Sequence, residues 1–233
     1  MMTTDTTAPA RGRRRGSYAK TGATRQAILD AALEVFSQSG YRSGSLRDIA
    51  TRVGMSEAGL LHHFRNKGAM LEAVLEERDD RARALVPIES DDGAEVLRGL
   101  VALAAHNASS PGVVELYTTL SAEATSSDHP AHGYFVRRYE YTRGNIERSF
   151  QWLRDEGLLR HGMTPRRAAV AAVALMDGLQ VQWLLDRDSL DMAEELRALF
   201  ATFVDIDWTR LRDQSDPASD RPAPAGRDEE VGP

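Results

Sequence analysis

Residues 45–64, SLRDIATRVGMSEAGLLHHF, constrain the fold more than any other segment, because they predict two short helices joined by a glycine turn. Ser45 stands three residues before an aspartate, which is the spacing of a capping box at a helix start. Apolar residues then recur at helical spacing up to Gly54, where a left-handed backbone conformation would end the helix. Ser56 is a candidate N-cap for the second helix. Two helices around such a turn are the layout that places a recognition helix in the DNA major groove.

The same geometry also occurs inside helical proteins that never contact DNA, so the motif by itself leaves both interpretations open. The distribution of charge favours DNA. The whole chain carries a net charge of −6, but residues 1–71 hold eleven Lys/Arg and five Asp/Glu, a net charge of +6. Residues 72–233 hold eighteen and thirty, a net charge of −12. A basic N-terminal third on an acidic remainder is expected where one end of a chain meets phosphate.

The composition excludes several classes of protein. The chain has no cysteine, so disulfides and thiolate metal sites are ruled out. No apolar run approaches the ~18–20 residues that span a membrane, and the N-terminus lacks the apolar stretch of a signal peptide. We therefore expect a cytoplasmic protein that does not enter a membrane. Its 233 residues are enough for a sizeable core.

Helical periodicity runs through the rest of the chain, and no segment alternates as a strand does. Ser110 and Thr164 each precede a proline, the signal of an N-cap followed by a first-turn proline. The charged residues 76–83 are expected on a solvated helix face. The predicted fold is all-α. Outside the motif, the predicted helices span about 21–40, 66–85, 92–108, 111–125, 131–156, 165–186 and 191–204.

The two ends of the chain have the composition of disordered segments. Residues 1–20 are polar and carry a basic cluster that includes Arg13, Arg14 and Arg15. Such a terminus is expected to be disordered in solution. Beside a helix–turn–helix, it also resembles an arm that neutralises phosphates or enters the minor groove. Residues 213–233, rich in Pro, Asp and Ala, are expected to form a disordered tail.

Residues 24–75 resemble the TetR family of bacterial transcriptional regulators. The resemblance rests on three stretches in the family's order and spacing: FSQSGY, LRDIATRVGMSEAGLLHHF and NKGAMLEAVL. The C-terminal stretch MDGLQVQWLLDRDSLDM is also similar to the choline-responsive subgroup. The resemblance implies a three-helix helix–turn–helix DNA-binding domain over residues 21–81. A helical effector-binding and dimerisation domain would follow over residues 82–212.

In the family, the second and third helices form the DNA-reading head, so the resemblance implies DNA contacts at the matching positions. Arg47 lies where a side chain often reaches a guanine edge, and its forked donors suit the O6 and N7 acceptors. Lys67 matches a phosphate-binding lysine at the N-terminus of the next helix, where the helix dipole adds to its charge. The implied DNA-contacting residues are Arg13, Arg14, Arg15, Ser45, Arg47, Ser56, Glu57, Ala58, Gly59, His62, His63 and Lys67.

This chain departs from the family pattern at the start of the recognition helix. Many relatives carry Lys or Gln at the position of Glu57 and Thr at that of Gly59. Glu57 could accept a hydrogen bond from a cytosine amine or be repelled by phosphate, and Ala58 offers contact with a thymine methyl. Leu61 stands where the family commonly has tyrosine, so one hydrogen bond to phosphate is expected to be absent. These departures place more weight on the basic residues that flank the helix.

The histidines do not predict a metal site. His62 and His63 are adjacent, so they point in different directions around a helix and cannot easily bind one metal ion. His129 and His132 are three residues apart near a proline, a spacing that a metal could bridge on a helix. Solvated or hydrogen-bonded surface histidines are the commoner arrangement. We predict neither a metal nor another cofactor.

A TetR-like architecture implies a cavity among the middle helices, whose occupancy changes the spacing of two reading heads. Aromatic residues at helical spacing equally indicate plain core packing, so both interpretations stay open. The candidate lining residues are His106, Leu116, Tyr117, Leu120, Phe135, Tyr139, Trp152, Met176, Gln180 and Trp183.

Dimerisation is expected through the last two helices. These helices are rich in alanine and leucine, and two copies of them can form a four-helix interface around a twofold axis. The candidate interface residues are Met176, Leu184, Leu196, Leu199, Phe200 and Phe203.

The sequence favours a ligand-responsive dimeric repressor that an unknown small molecule releases from a palindromic DNA operator. The alternative is a helical small-molecule-binding protein or enzyme with an incidental helix–turn–helix. No Gly-rich phosphate loop, paired-carboxylate context or nucleophile motif supports an enzyme. We therefore expect a non-enzymatic protein whose partners are double-stranded DNA, a second copy of itself and a small-molecule effector.

Overall fold

The computed structural model describes residues 14–160 and 162–209, with side chains described from residue 22 onward. Within these ranges the chain forms nine α-helices and one isolated β-bridge, between Leu159 and Val204. The all-α prediction is confirmed. The predicted tail, residues 213–233, lies outside the described residues. The helices are α1 (Arg14–Ser43), α2 (Leu46–Arg52), α3 (Glu57–His63), α4 (Lys67–Leu85), α5 (Gly93–Ala108), α6 (Pro111–Glu123), α7 (His132–Asp155), α8 (Pro165–Leu185) and α9 (Met192–Phe203).

Helix α1 differs from the prediction at its start. It begins at Arg14 rather than near residue 21, so residues 14–20 of the predicted disordered arm are helical. The physical reason is that adding residues to an existing helix costs little once its first turn has formed, and Arg, Ala and Lys favour helix. Gly40 interrupts α1 near the predicted end, with φ 74° and ψ 163°.

Capping and a glycine turn position the two helices of the motif. The Oγ of Ser45 accepts a hydrogen bond from the Asp48 N–H at 3.0 Å, and the Oγ of Ser56 accepts one from the Gly59 N–H at 3.1 Å. Gly54 has φ 67°, the left-handed conformation predicted for the turn. The two caps satisfy backbone donors that have no partner inside a helix, so α2 and α3 begin at defined residues.

Ser110 takes the predicted N-cap position of α6, but without a capping hydrogen bond in the described part of the chain. Pro111 occupies the first turn of α6 as expected, but within the described chain Ser110 makes no side-chain capping bond. The reason is its backbone, whose φ of −134° and ψ of 61° differ from the extended conformation of the other caps. Thr164 does cap α8, because its Oγ1 accepts a hydrogen bond from the Arg167 N–H at 3.3 Å.

Two hydrophobic cores share α6 and α7. The first core lies between α1, α2, α3 and α4 and buries Phe36 and Leu60. The second lies between α5, α7, α8 and α9 and buries Phe150 and Phe200. Both α6 and α7 contribute buried side chains to each core, and Tyr139 packs against both. These two helices therefore connect the helix–turn–helix part of the chain with the helices that follow it.

Helix α8 is long and apolar enough to cross a membrane, judged by length and composition alone. The sequence analysis had indicated no such run. One face of α8 packs against α7 and α9 and buries Ala168, Ala172 and Trp183 in the second core. The apolar composition of that face is therefore accounted for by burial inside the protein.

A close approach between α5 and α7 depends on Gly93. A Cβ at this position would overlap the carbonyl oxygen of Ser149 and lie 2.9 Å from its carbonyl carbon.

We expect Gly93→Ala to lower the free energy of unfolding by about 1–3 kcal/mol, because the backbone of α7 must move. The matched control Gly144→Ala, inside α7 with open space around its Cβ, should raise it by about 0.5–1 kcal/mol. Urea unfolding followed by circular dichroism measures both, and effects of the same sign would contradict this packing.

Candidate nucleic-acid interface and ligand cavity

The outward face of α2 and α3 consists of side chains that do not contribute to the core. Leu61 keeps 41% of its surface exposed, which is unusual for a large apolar side chain. Ser45 and Ser56 are engaged as helix caps, whereas Gly59 and His63 are half-buried. Five side chains of α2 and α3 that the resemblance places at or beside DNA are exposed: Arg47, Glu57, Ala58, Leu61 and His62.

The two arginines of α2 differ in their availability. Arg52 forms an ion pair with Glu34, and its guanidinium donates a hydrogen bond to Gln38 at 2.8 Å. Arg47 is exposed, and its guanidinium has no partner among the residues that the structure describes. Arg47 is therefore the side chain of α2 that can offer its donors to an external acceptor.

Lys67 is more engaged than the sequence predicted. Its Nζ donates a hydrogen bond to the Arg42 carbonyl at 3.0 Å and lies 4.7 Å from the centre of the Tyr41 ring. Burial lowers the pKa of Lys67 below its ordinary value. An ammonium group has three donors, so the bond to Arg42 leaves donors for a phosphate at the N-terminus of α4.

The arginines of the predicted arm lie at the limit of the described structure. Arg13 lies outside the described residues. Arg14 and Arg15 occupy the first turn of α1, and their side chains are not described. A contact between this segment and DNA therefore stays a prediction.

The two pairs of histidines considered as metal ligands lie on different elements, and the ring centres of His62 and His63 are 6.0 Å apart. Among the described residues, no group of three or more His, Cys, Asp or Glu could hold a metal ion. His129 accepts a hydrogen bond from the Ala131 N–H at 3.2 Å, and His132 donates from Nδ1 to the Ala124 carbonyl at 2.8 Å. His129 and His132 therefore form hydrogen bonds within the segment that connects α6 and α7.

A cavity of about 220 Å³ opens between α4, α5 and α7. A smaller chamber of about 30 Å³ lies further in and also reaches α6 and α8. The two share the lining residues Leu103, Arg138, Thr142 and Met176, so they are adjacent. The outer wall combines aliphatic side chains with charged and tyrosine side chains, a mixture that suits a small organic molecule with a polar group.

A buried ionic cluster forms one wall of this cavity, with Asp79 of α4 at its centre. The Oδ2 of Asp79 accepts a hydrogen bond from the Tyr134 hydroxyl at 2.6 Å. Its Oδ1 lies 3.3 Å from Arg78 and 3.4 Å from Arg138. Burial raises the pKa of Tyr134 well above its ordinary value, so this hydroxyl keeps its proton and remains a donor. Arg138 also donates from Nε to the Tyr117 hydroxyl at 2.7 Å.

The inner chamber holds a second carboxyl group. Asp177 of α8 accepts a hydrogen bond from the Tyr139 hydroxyl at 2.7 Å. Burial raises the pKa of Asp177 above its ordinary value, although the Tyr139 hydrogen bond acts in the opposite direction. Gln180 lies beside it and is 3.4 Å from the Thr118 hydroxyl.

The predicted lining residues divide into two groups. Tyr117, Tyr139, Met176 and Gln180 line the inner chamber. The other six lie elsewhere, because aromatic and aliphatic residues at helical spacing are mostly core residues. Of these, His106 is exposed on the surface, whereas the following five belong to the two cores: Leu116, Leu120, Phe135, Trp152 and Trp183.

The charged wall of the cavity was not predicted from the sequence. Residues 76–83 are predicted to lie on a solvated helix face, but Arg78 and Asp79 keep only 8% and 9% of their surface exposed. A signal was present in the spacing, since Asp79 lies one helical turn beyond the buried Leu75. Arg138 was missed because nothing in its own segment distinguishes it from the exposed Arg137.

The predicted dimer residues also need correction. Leu196 and Phe200 are fully buried inside the chain's own second core, because α9 turns its apolar face toward α5 and α8. Met176 lines the cavity. The remaining three, Leu184, Leu199 and Phe203, are half-buried.

The hydrogen bond from Tyr134 to Asp79 should contribute to stability. Tyr134→Phe removes the donor of a buried carboxylate, so we expect the free energy of unfolding to fall by about 1.5–3 kcal/mol. Tyr141→Phe is the control, because the Tyr141 hydroxyl donates at the surface to Glu89 and its loss should change stability by about 0.5 kcal/mol or less. If chemical unfolding showed the same loss in free energy of unfolding for both variants, the hydrogen bond to Asp79 would not stabilise the fold as expected.

Two family models match consecutive parts of the chain. The model of bacterial regulatory proteins of the tetR family matches residues 28–74, which include the helix–turn–helix. The model of the C-terminal domain of BetI-type transcriptional repressors matches residues 93–206, which include α5 to α9.

The chain is similar to several regulators. It is 39% identical to the HTH-type transcriptional regulator UidR of Escherichia coli over 61 residues, which span 26% of this chain and only 31% of UidR. It is 27% identical to TtgR of Pseudomonas putida over 204 residues, which span 78% of this chain and 90% of TtgR. A transcriptional regulator from Saccharomonospora viridis, solved in complex with choline, shares the fold. Its TM-score is 0.66 at 22% identity, over 79% of this chain and all of that chain. The chain belongs to the TetR family of bacterial transcriptional regulators.

Proposed function

We propose that the chain is a ligand-responsive DNA-binding transcriptional regulator, a dimeric repressor that acts on a palindromic operator. The observation that carries the proposal is the exposed face of α2 and α3, where the guanidinium of Arg47 is available to DNA. Residues 72–233 carry a net charge of −12, which disfavours contact of the other surfaces with phosphate. Membership of the TetR family and the similarity to the regulators UidR and TtgR support the same function.

The chemistry of the exposed face indicates how it would read DNA. Arg47 suits bidentate hydrogen bonding to a guanine. Ala58 and Leu61 present methyl groups that suit contacts with thymine methyls, and Glu57 can accept a hydrogen bond from a cytosine amine. Lys67 and the basic N-terminal segment would contact phosphates, which set register and affinity rather than sequence choice.

Arg47 provides the direct test of this face. On an operator selected from random duplex DNA, Arg47→Ala should weaken binding by about 1–3 kcal/mol and relax the preference at one base position. Lys67→Ala should weaken binding to all sequences alike. Fluorescence anisotropy measures both affinities, and a salt series should show the steep loss that counterion release produces.

The matched control is Arg154→Ala. Arg154 is exposed on α7 and pairs with its neighbour Asp155 at 3.2 Å, so the variant should bind the operator as the wild-type protein does. If Arg47→Ala bound every selected sequence as tightly as this control, the face of α2 and α3 would not be the reading head.

An exposed apolar stripe on α8 supports a dimer. Val170, Val181 and Leu185 are 50%, 45% and 83% exposed, and their spacing places them on one side of the helix. An isologous contact between two such stripes would bury them around a twofold axis. Two reading heads related in this way would read half-sites ~34–36 Å apart, which requires a palindromic operator.

Charge in this stripe should separate the protomers. We expect Leu185→Glu to sediment as a monomer and to bind the operator much more weakly, because two carboxylates would meet in an apolar contact. Val136→Glu, at a position on α7 that is 46% exposed, introduces the same charge outside the stripe and should leave the dimer intact. A dimeric Leu185→Glu protein in sedimentation velocity would show that α8 is not the interface.

The position of the cavity supports control by a ligand. Helix α4 begins at Lys67, beside the reading head, and its other half carries Asp79 in the cavity wall. A ligand that moves α4 relative to α7 would therefore change the spacing of the two heads. Such a ligand releases the operator only if it binds the two conformations with different affinities.

A further inference from the structure

The outer chamber is lined by Glu76, Arg83 and Arg137, which lie on its rim side, as well as by groups shared with the inner chamber. Where the chambers meet, four charged groups nearly balance within the protein: Arg78, Asp79, Arg138 and Asp177 provide two positive and two potential negative charges. Buried charges are retained where each has partners, so the unused hydrogen-bonding capacity of these four groups indicates what a ligand must supply.

Asp79 has its donors already, and Asp177 has a donor on one of its two oxygens. Asp79 is held by a tyrosine hydroxyl at 2.6 Å and by two guanidinium groups. Asp177 is held by the Tyr139 hydroxyl at 2.7 Å. A cationic ligand would have to compete with these internal donors.

The two aromatic rings of the inner chamber already have arginines beside them. The guanidinium carbons of Arg78 and Arg138 lie 4.3 Å and 5.2 Å from the centre of the Tyr117 ring. Arg143 lies 5.9 Å from the centre of the Tyr139 ring. An ammonium ligand would bind above the face of an aromatic ring. The protein's own arginines already occupy these positions.

The arginines, in contrast, have donors left over. A guanidinium has five N–H groups. Arg138 uses Nε toward Tyr117 and Nη1 toward Thr142, and its Nη2 meets no acceptor among the described residues. Arg78 uses Nη1 toward Asp79, and its Nε and Nη2 likewise meet none in the described part of the chain. Where the two chambers meet, the unused donors of Arg78 and Arg138 therefore outnumber the unused acceptors, since Asp177 leaves one oxygen without a donor among the described residues.

We infer that the effector is a small organic carboxylate with an apolar body, an assignment that rests on the proposed function of the cavity as an effector site. Its carboxylate would accept hydrogen bonds from Arg138 and Arg78 where the two chambers meet. Its apolar body would lie in the outer chamber against the aliphatic side chains of α5 and of the segment after α4. These side chains are Val86, Ile88, Leu100 and Leu103.

The test compares ligands that differ only in their head group. Hexanoate, octanoate, phenylacetate and naphthoate are titrated into the full chain by calorimetry, each beside the matching neutral amide and the matching ammonium compound. At least one carboxylate should bind about tenfold or more tightly than its two counterparts, because hydrogen bonds to a charged group are stronger. Tighter binding of the ammonium compounds, equal binding of all three head groups, or no carboxylate binding at millimolar concentration would overturn the inference.

Substitutions of Arg138 test whether this arginine binds the carboxylate. Arg138→Gln and Arg138→Lys should each lower carboxylate affinity about tenfold or more and leave amide binding unchanged. The lysine variant keeps the positive charge beside Asp79, so it remains informative if the glutamine variant fails to fold. Arg154→Gln, on the same helix and exposed, is the control and should bind like the wild-type protein. Unchanged carboxylate affinity in folded Arg138→Lys would overturn the assignment.

Calorimetry without DNA keeps this inference separate from the proposed function. Carboxylate binding by a chain that binds no operator would overturn the regulator and support the ligand assignment. Release of the operator by an ammonium compound, with no effect of carboxylates, would overturn the ligand assignment and leave the regulator standing.

Discussion

The interaction on which the arrangement of the chain depends is the burial of Asp79 between α4 and α7. Its carboxylate accepts a hydrogen bond from Tyr134 at 2.6 Å and lies within 3.4 Å of Arg138, both on α7. Removing one partner of a buried ion pair typically costs about 3–5 kcal/mol, because the other charge stays buried without compensation. Helix α4 is therefore held to α7 at a defined register. The same contact forms the wall of the cavity, so any ligand there meets the group that positions α4.

The other end of α4 belongs to the reading head. Lys67 starts the helix and donates a hydrogen bond to the carbonyl of Arg42, while the first core packs α4 against α1. One helix thus carries a phosphate-binding candidate at its start and a cavity wall near its end. Since α-helices transmit displacement along their axis, a shift at Asp79 is expected to move the reading head. Under the proposed function, the ionic cluster is part of the switch as well as part of the core.

The local features were predictable because they depend on neighbours in the sequence. The cap at Ser56, the turn at Gly54 and the exposure of Arg47 follow from spacing and residue type alone. The burial of Arg78 and the inward position of Phe200 could not be predicted in that way, because both depend on which helix packs opposite. A charged residue on a helix is normally solvated, and burial is tolerable here because Asp79 pairs with Arg78 on the same helix and with Arg138 of α7.

The central claim, that movement of α4 against α7 links the cavity to DNA binding, can be tested by joining the two helices. The chain has no cysteine, so Glu72→Cys and Arg137→Cys, which replace an ion pair of 2.6 Å between α4 and α7, give a single cross-linking site. The measurement is operator affinity of this double variant with and without a ligand that releases it, before and after reaction with a short bis-maleimide. We expect the uncross-linked protein to lose affinity by about 5–150-fold on adding ligand, and the cross-linked protein to show no change. An equal loss in both forms would contradict the account.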